Sequence, residues 1–133
     1  MSHVRKQIRD AVAALLPGTV HKSRVYPLDE AELPVKLVYT NGEQIAADQF
    51  GGLERRLEVV VEIVAAGTDD AMDAVLVDVE QALGDGLGSI VTQFVASSIE
   101  VSTSTEGSAP IGRLRLVYEA IYRTAFADPE TNL

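Results

Sequence analysis

Apolar and polar residues alternate along Arg56-Leu57-Glu58-Val59-Val60-Val61-Glu62-Ile63-Val64. Leu57, Val59, Val61 and Ile63 share one face, while Arg56, Glu58 and Glu62 share the other. This period of two predicts a strand with one buried and one wetter side. Ala65-Ala66-Gly67 ends the pattern, and Thr68 is placed to cap a helix whose first turn holds Asp69 and Asp70, where the helix dipole favours negative charge. Met72, Val75, Leu76, Val79 and Leu83 then make one stripe at helical spacing, and Gly84 and Gly86 stop it. A half-buried strand feeding an amphipathic helix makes a two-layer core on which the other segments can be placed.

Val4, Ile8, Ala11, Val12, Leu15 and Leu16 predict a first helix over residues 2–16, ended by Pro17-Gly18, with Arg5, Lys6 and Arg9 on its other face. Thr19–Tyr26 reads as a short strand stopped by Pro27, and residues 28–34 as an acid-rich loop. Val35–Thr40 is a strand, and Asn41-Gly42 signals a turn. Residues 42–53 read as a long loop with mobile ends, in which Glu43, Gln44, Ile45, Asp48 and Phe50 are candidates for ordering against a neighbour; long loops in compact domains are commonly functional or disordered. Ile90, Val91, Phe94 and Val95 fit a short helix within residues 87–96, with strand as the alternative, since β-branched residues are frequent there. Residues 97–105 alternate again, Glu106-Gly107-Ser108-Ala109-Pro110 makes a turn, and Ile111–Thr124 is the longest strand.

These elements predict a single α+β domain over residues 1–126. Its sheet is mixed and mainly antiparallel, with four to five strands and two long helices on one face, and residues 127–133 follow as a C-terminal tail. The other face is expected to be exposed and to carry Arg56, Glu58, Glu62, Arg113, Arg115, Glu119 and Arg123. Two readings of it stand side by side: solvated cross-strand ion pairs, worth little each, or a polar subunit interface.

Composition narrows the function classes. A chain of 133 residues suits one domain, and 47% hydrophobic residues make disorder an unsuitable description. Eleven Lys and Arg against twenty Asp and Glu give a net charge of −9, and gripping nucleic acid by its phosphates requires clustered cations. With no cysteine there are no disulfides or thiolate metal sites, and the expected setting is a reducing compartment. No apolar run spans a bilayer, and the start of the chain is not a signal peptide.

Candidate chemistry is thin. His3 and His21 lack the neighbours of a catalytic triad. Asp69, Asp70, Asp73, Asp78 and Glu80 make the second helix acidic, but their spacing matches no calcium loop, and a solvated face explains them. Gly84-Asp85-Gly86-Leu87-Gly88 follows a helix rather than a strand and lacks the Lys-Ser/Thr of a phosphate loop, so it reads as a helix stop. Tyr26, Tyr39, Tyr118 and Tyr122 lie in strands, as core or interface tyrosines do. No catalytic, metal or cofactor site is expected.

The order of segments resembles the tail terminator family of long-tailed bacteriophages, the minor tail protein U-like group. The resemblance rests on Val4-Arg5-Lys6-Gln7-Ile8 in the opening helix, on Leu33-Pro34-Val35-Lys36-Leu37-Val38-Tyr39-Thr40, and on Arg55-Arg56-Leu57-Glu58-Val59-Val60-Val61-Glu62. It extends to Val79-Glu80-Gln81-Ala82-Leu83 and to a last hairpin in which residues 106–112 precede Arg113-Leu114-Arg115-Leu116 and Tyr122-Arg123-Thr124. It implies a structural virion protein that caps the tail tube as a hexameric ring, ends tube polymerisation and presents a surface for head or neck joining. The implied partners are further copies of the chain, the tail tube protein and the head/neck joining protein. DNA would pass through the ring without specific binding, and no membrane is involved. The implied location is the head-proximal end of the tail, after assembly in the host cytoplasm. Another head–tail joining or tail-completion protein, and a small α+β ligand-binding module, are the competing readings.

Overall fold

The computed structural model describes residues 2–22, 33–67, 69–104 and 111–133, with Ser104 as backbone only. Two helices, α1 (Val4–Leu15) and α2 (Asp69–Leu83), pack on one face of a six-stranded sheet. The strands are β1 (Thr19–His21), β2 (Val35–Ala47), β3 (Leu53–Ala66), β4 (Gln93–Ser104), β5 (Ile111–Ala125) and β6 (Asp128–Asn132), in the order β1-β2-β3-β5-β4, with β6 also on β5. β1 runs parallel to β2, and every other pairing is antiparallel. The α+β architecture with its mainly antiparallel mixed sheet is therefore the one that the periodicities predict.

The core follows from those periods. Leu57, Val59, Val61 and Ile63 of β3 and Leu114, Leu116, Tyr118, Ala120 and Tyr122 of β5 face the helices. Val4, Ile8 and Val12 of α1 and Met72, Val79 and Leu83 of α2 are buried against them. Each fully buried aliphatic side chain contributes roughly 1.5–3 kcal/mol, so truncating Leu57 to Ala would cost about 2–5 kcal/mol. α1 is capped by His3, whose Nδ1 accepts from the Arg5 amide at 3.0 Å. Burial, and then the nearby Arg55, hold the His3 pKa below its usual value. Gly112 is the close approach beneath α2, where a Cβ would run into Met72 Sδ.

Four expectations change. Residues 42–53 are no loop: β2 runs on to Ala47, a tight turn holds Asp48–Gly52, and β3 returns from Leu53. Asn41-Gly42 makes no turn. The pair bulges opposite the single residue Glu58, because the register steps from Thr40↔Val59 to Glu43↔Leu57. Glu43, Gln44 and Ile45 are thus strand residues, and Asp48 and Phe50 belong to the turn.

Residues 87–96 form a three-residue 3-10 turn, Gly88–Ile90, and then the start of β4. Phe94 is held in that strand by stacking on Tyr118, with centroids 4.4 Å apart. The tail is also a strand: Glu130 O accepts from Gln7 Nε2 at 2.8 Å, and the Leu133 amide donates to Arg123 O at 2.7 Å. Pro129 is tolerated because β6 lies at an edge. The expected features at residues 23–32, the Thr68 cap and the 106–110 turn lie outside the described residues.

Candidate assembly surfaces

Strand parity puts all seven predicted charged residues, Arg56, Glu58, Glu62, Arg113, Arg115, Glu119 and Arg123, on the sheet face away from the helices. The face is not uniformly wet. Leu37, Tyr39, Val60 and Val117 form a buried apolar centre on it, and Glu62 is itself buried. Around that centre the charges pair within the chain. Arg56 reaches Glu119 at 3.2 Å and Glu54 at 3.2 Å, Arg113 reaches Glu62 at 3.5 Å, and Arg115 reaches Glu100 at 3.3 Å. Arg115 Nε also donates to the Tyr39 hydroxyl, which raises the Arg115 pKa.

Glu58 and Glu119 lie directly opposite each other, a like-charge arrangement that costs stability unless relieved. Asn41 Nδ2 donates to Glu58 Oε1 at 3.0 Å, and Arg56 neutralises Glu119. A cleft of about 300 Å³ opens here, lined by residues that include Gly42, Gln44, Arg56, Glu58, Ser97 and Glu119. An apolar depression of about 380 Å³ lies between the end of β3 and α2, against Leu33, Ala66, Ala71 and Val75, and among the described residues no polar side chain lines it. Among the described residues no group of three or more His, Asp or Glu is placed to hold a metal ion.

The β2–β3 hairpin is the region where sequence reasoning missed most. Its helix-side face carries a nearly buried ion pair, Arg55 Nη1 to Glu43 Oε1 at 2.9 Å. Tyr122 donates its hydroxyl to Glu43 Oε2 at 2.8 Å, and Arg55 Nε donates to Thr124 Oγ1 at 3.0 Å. Burial, with the Glu43 carboxylate next, pushes the Tyr122 phenol up. The available signal was parity: Arg55 shares the face of Leu53 and Leu57, so its charge had to meet a buried partner.

At the tip, Asp48 Oδ1 accepts from the Phe50 and Gly52 amides, and Asp48 Oδ2 accepts from Arg123 Nε at 2.6 Å. The Arg123 guanidinium also lies 5.4 Å over the Phe50 ring. Phe50, Phe126 and Leu133 are exposed at this end of the sheet. Asp69, Asp70, Asp73, Asp78 and Glu80 are exposed along α2. His21 sits in β1 opposite Leu37, far in sequence and element from the His3 cap.

No protein-family model matches the chain, and no curated protein matches it. The fold is shared with a chain in the solved structure of the virion of a native gene transfer agent (GTA) particle. The two superpose with a TM-score of 0.57 at 18% sequence identity, over 92% of each chain, and this likeness is one of fold.

Proposed function

We propose that this chain is a structural subunit of a phage-like virion that closes as a ring on a tail tube, ends tube polymerisation and offers its far side to the head or neck. The observation that carries this reading is the fold held in common, over 92% of both chains, with a chain of the gene transfer agent virion. The order of segments that resembles tail terminators supports the finer role.

The surface chemistry suits the passage of DNA. Arg56, Arg113, Arg115 and Arg123 each have a carboxylate partner within the chain. The exposed face of α2 carries acids and no base. These two faces lack the clustered free cations that hold a polyanion. The partners are further copies of the chain, a tail tube protein and a head or neck joining protein, at the head-proximal end of the tail.

Light scattering across protein concentration, followed by electron microscopy with purified tail tubes, tests the reading. Closed rings of about six subunits, as heterologous contacts repeated about one axis produce, seated at one tube end and halting tube growth, are the expected result. A chain that stays monomeric and leaves growing tubes unaltered overturns it. Rings that bind a head connector but not tubes would assign the chain to another joining position.

A further inference from the structure

Resting on the ring reading, we propose that neighbouring copies join edge to edge, the outer edge of β4 on one copy pairing antiparallel with the outer edge of β2 residues 42–47 on the next. Among the described residues, no strand pairs with either edge: β1 covers β2 only from Val35 to Leu37. β4 is exposed from Val95 to Thr103, and its Val95, Ile99 and Val101 side chains are about half exposed. Long edge strands are normally protected by lysine, proline or a cover. β4 reads Gln-Phe-Val-Ala-Ser-Ser-Ile-Glu-Val-Ser-Thr-Ser, with one charge and neither lysine nor proline.

The occupant is a second copy because the two edges of this chain match each other. Strand directions alternate across β2, β3, β5 and β4. A copy rotated about an axis along the strands therefore sets its β2 antiparallel to the first copy's β4 and keeps its helices on the same side. Ile99 and Val101 pair with Leu116 and Leu114, and Ile45 pairs with Arg55, so all three exposed aliphatics project on the helix side. Across such a junction they form the cross-strand apolar pairs that stabilise sheets. The open runs are also offset along the strands. Residues 42–47 are level with the end of β5 near Ile121, whereas β4 extends back to Ile111. Neighbours are thereby staggered, as closing a sheet around an axis requires. A contact between unlike edges, repeated, closes a ring.

Because the chain has no cysteine, introduced thiols report unambiguously. Ile45→Cys and Ile99→Cys proteins are assembled separately and as a mixture, and treated with a short thiol-reactive cross-linker. Dimers are expected from the mixture and from neither protein alone; dimers from Ile99→Cys alone would mean two-fold pairing of β4 and overturn the proposal. In parallel, Ile99→Lys with Val101→Lys, at exposed positions where circular dichroism verifies folding, is expected to reduce the mass from that of the ring to the 14.3 kDa of one chain. A folded lysine variant that still closes rings overturns the edge contact and leaves the ring reading standing. A wild-type chain that is monomeric both alone and with tail tubes removes both.

Discussion

Arg55 and Asp48 show how single side chains hold the β2–β3 hairpin against the rest of the sheet. Arg55 is buried with Glu43, and removing one member of such a pair leaves an uncompensated charge, a loss of about 3–5 kcal/mol. Glu43→Ala is therefore expected to lower the urea midpoint sharply, whereas Tyr122→Phe, which deletes one hydrogen bond to the same carboxylate, should cost about 1 kcal/mol. Equal effects of the two substitutions would refute this ranking. The Arg123 guanidinium, together with the Gly52 and Phe50 amides, holds the Asp48 carboxyl down to about 2. A carboxyl held below its unfolded value stabilises the fold above about pH 4 and loses that contribution as the pH falls toward 2. Amide exchange in residues 47–53 should therefore accelerate as the pH drops through that window, after correction for the intrinsic rate, and Asp48→Asn should remove the dependence. None of this was legible from composition, because Glu43 and Tyr122 are 79 positions apart, and only the sheet register brings them together.

At the scale of elements, β3 and α2 were legible because their helix–sheet core positions recur at a strict period, which local sequence records, even though β3 is buried on both faces from Val59 to Ala65. β6 was not. Its residues are polar, and its stability comes from bonds to distant groups: Gln7 on Glu130 O, the Leu133 amide on Arg123 O and Asn132 Nδ2 on Ser89 O. A chain ending at Phe126 should accordingly lose about 3 kcal/mol, at roughly 1 kcal/mol per hydrogen bond, with increased exchange in the first turn of α1. Unchanged stability would mean that the segment is the tail its composition suggests. β4 was misread at its start because Ile90, Val91, Phe94 and Val95 also fit a helical repeat, and the choice was made by Phe94 stacking on a residue of β5. The seven charged residues of the polar face were found by parity alone, yet parity could not reveal that Leu37, Tyr39, Val60 and Val117 bury the centre of that face.

For the whole molecule, lateral contact through the edges leaves the polar face free of any role in joining copies. Arg56→Gln with Glu119→Gln breaks half-exposed pairs, each worth about 0.2–1 kcal/mol. It should therefore lower stability slightly and leave the mass of the assembly unchanged in light scattering. Dissociation of a folded double variant would return the polar face to the interface. The bulges at Asn41-Gly42 and at Ser97 stand at nearly the same height on the two flanks of the β3–β5 pair, since Glu58 and Glu119 are partners there. Each resets the alternation of its strand, and a one-residue slip sends every following side chain to the opposite face. Loss of Gly42 or Ser97 would remove the extra residue and leave a regular ladder, with Glu43 still opposite Leu57 and Ile99 still opposite Leu116, whereas a one-residue loss within the unbulged β3–β5 ladder would turn every following side chain over. Length variation among descendants of this chain should therefore accumulate at the Asp48–Gly52 turn, at the two bulges and at the chain ends. Single-residue deletions inside β3 or β5 should be selected against, because their ladder has no spare residue to give up.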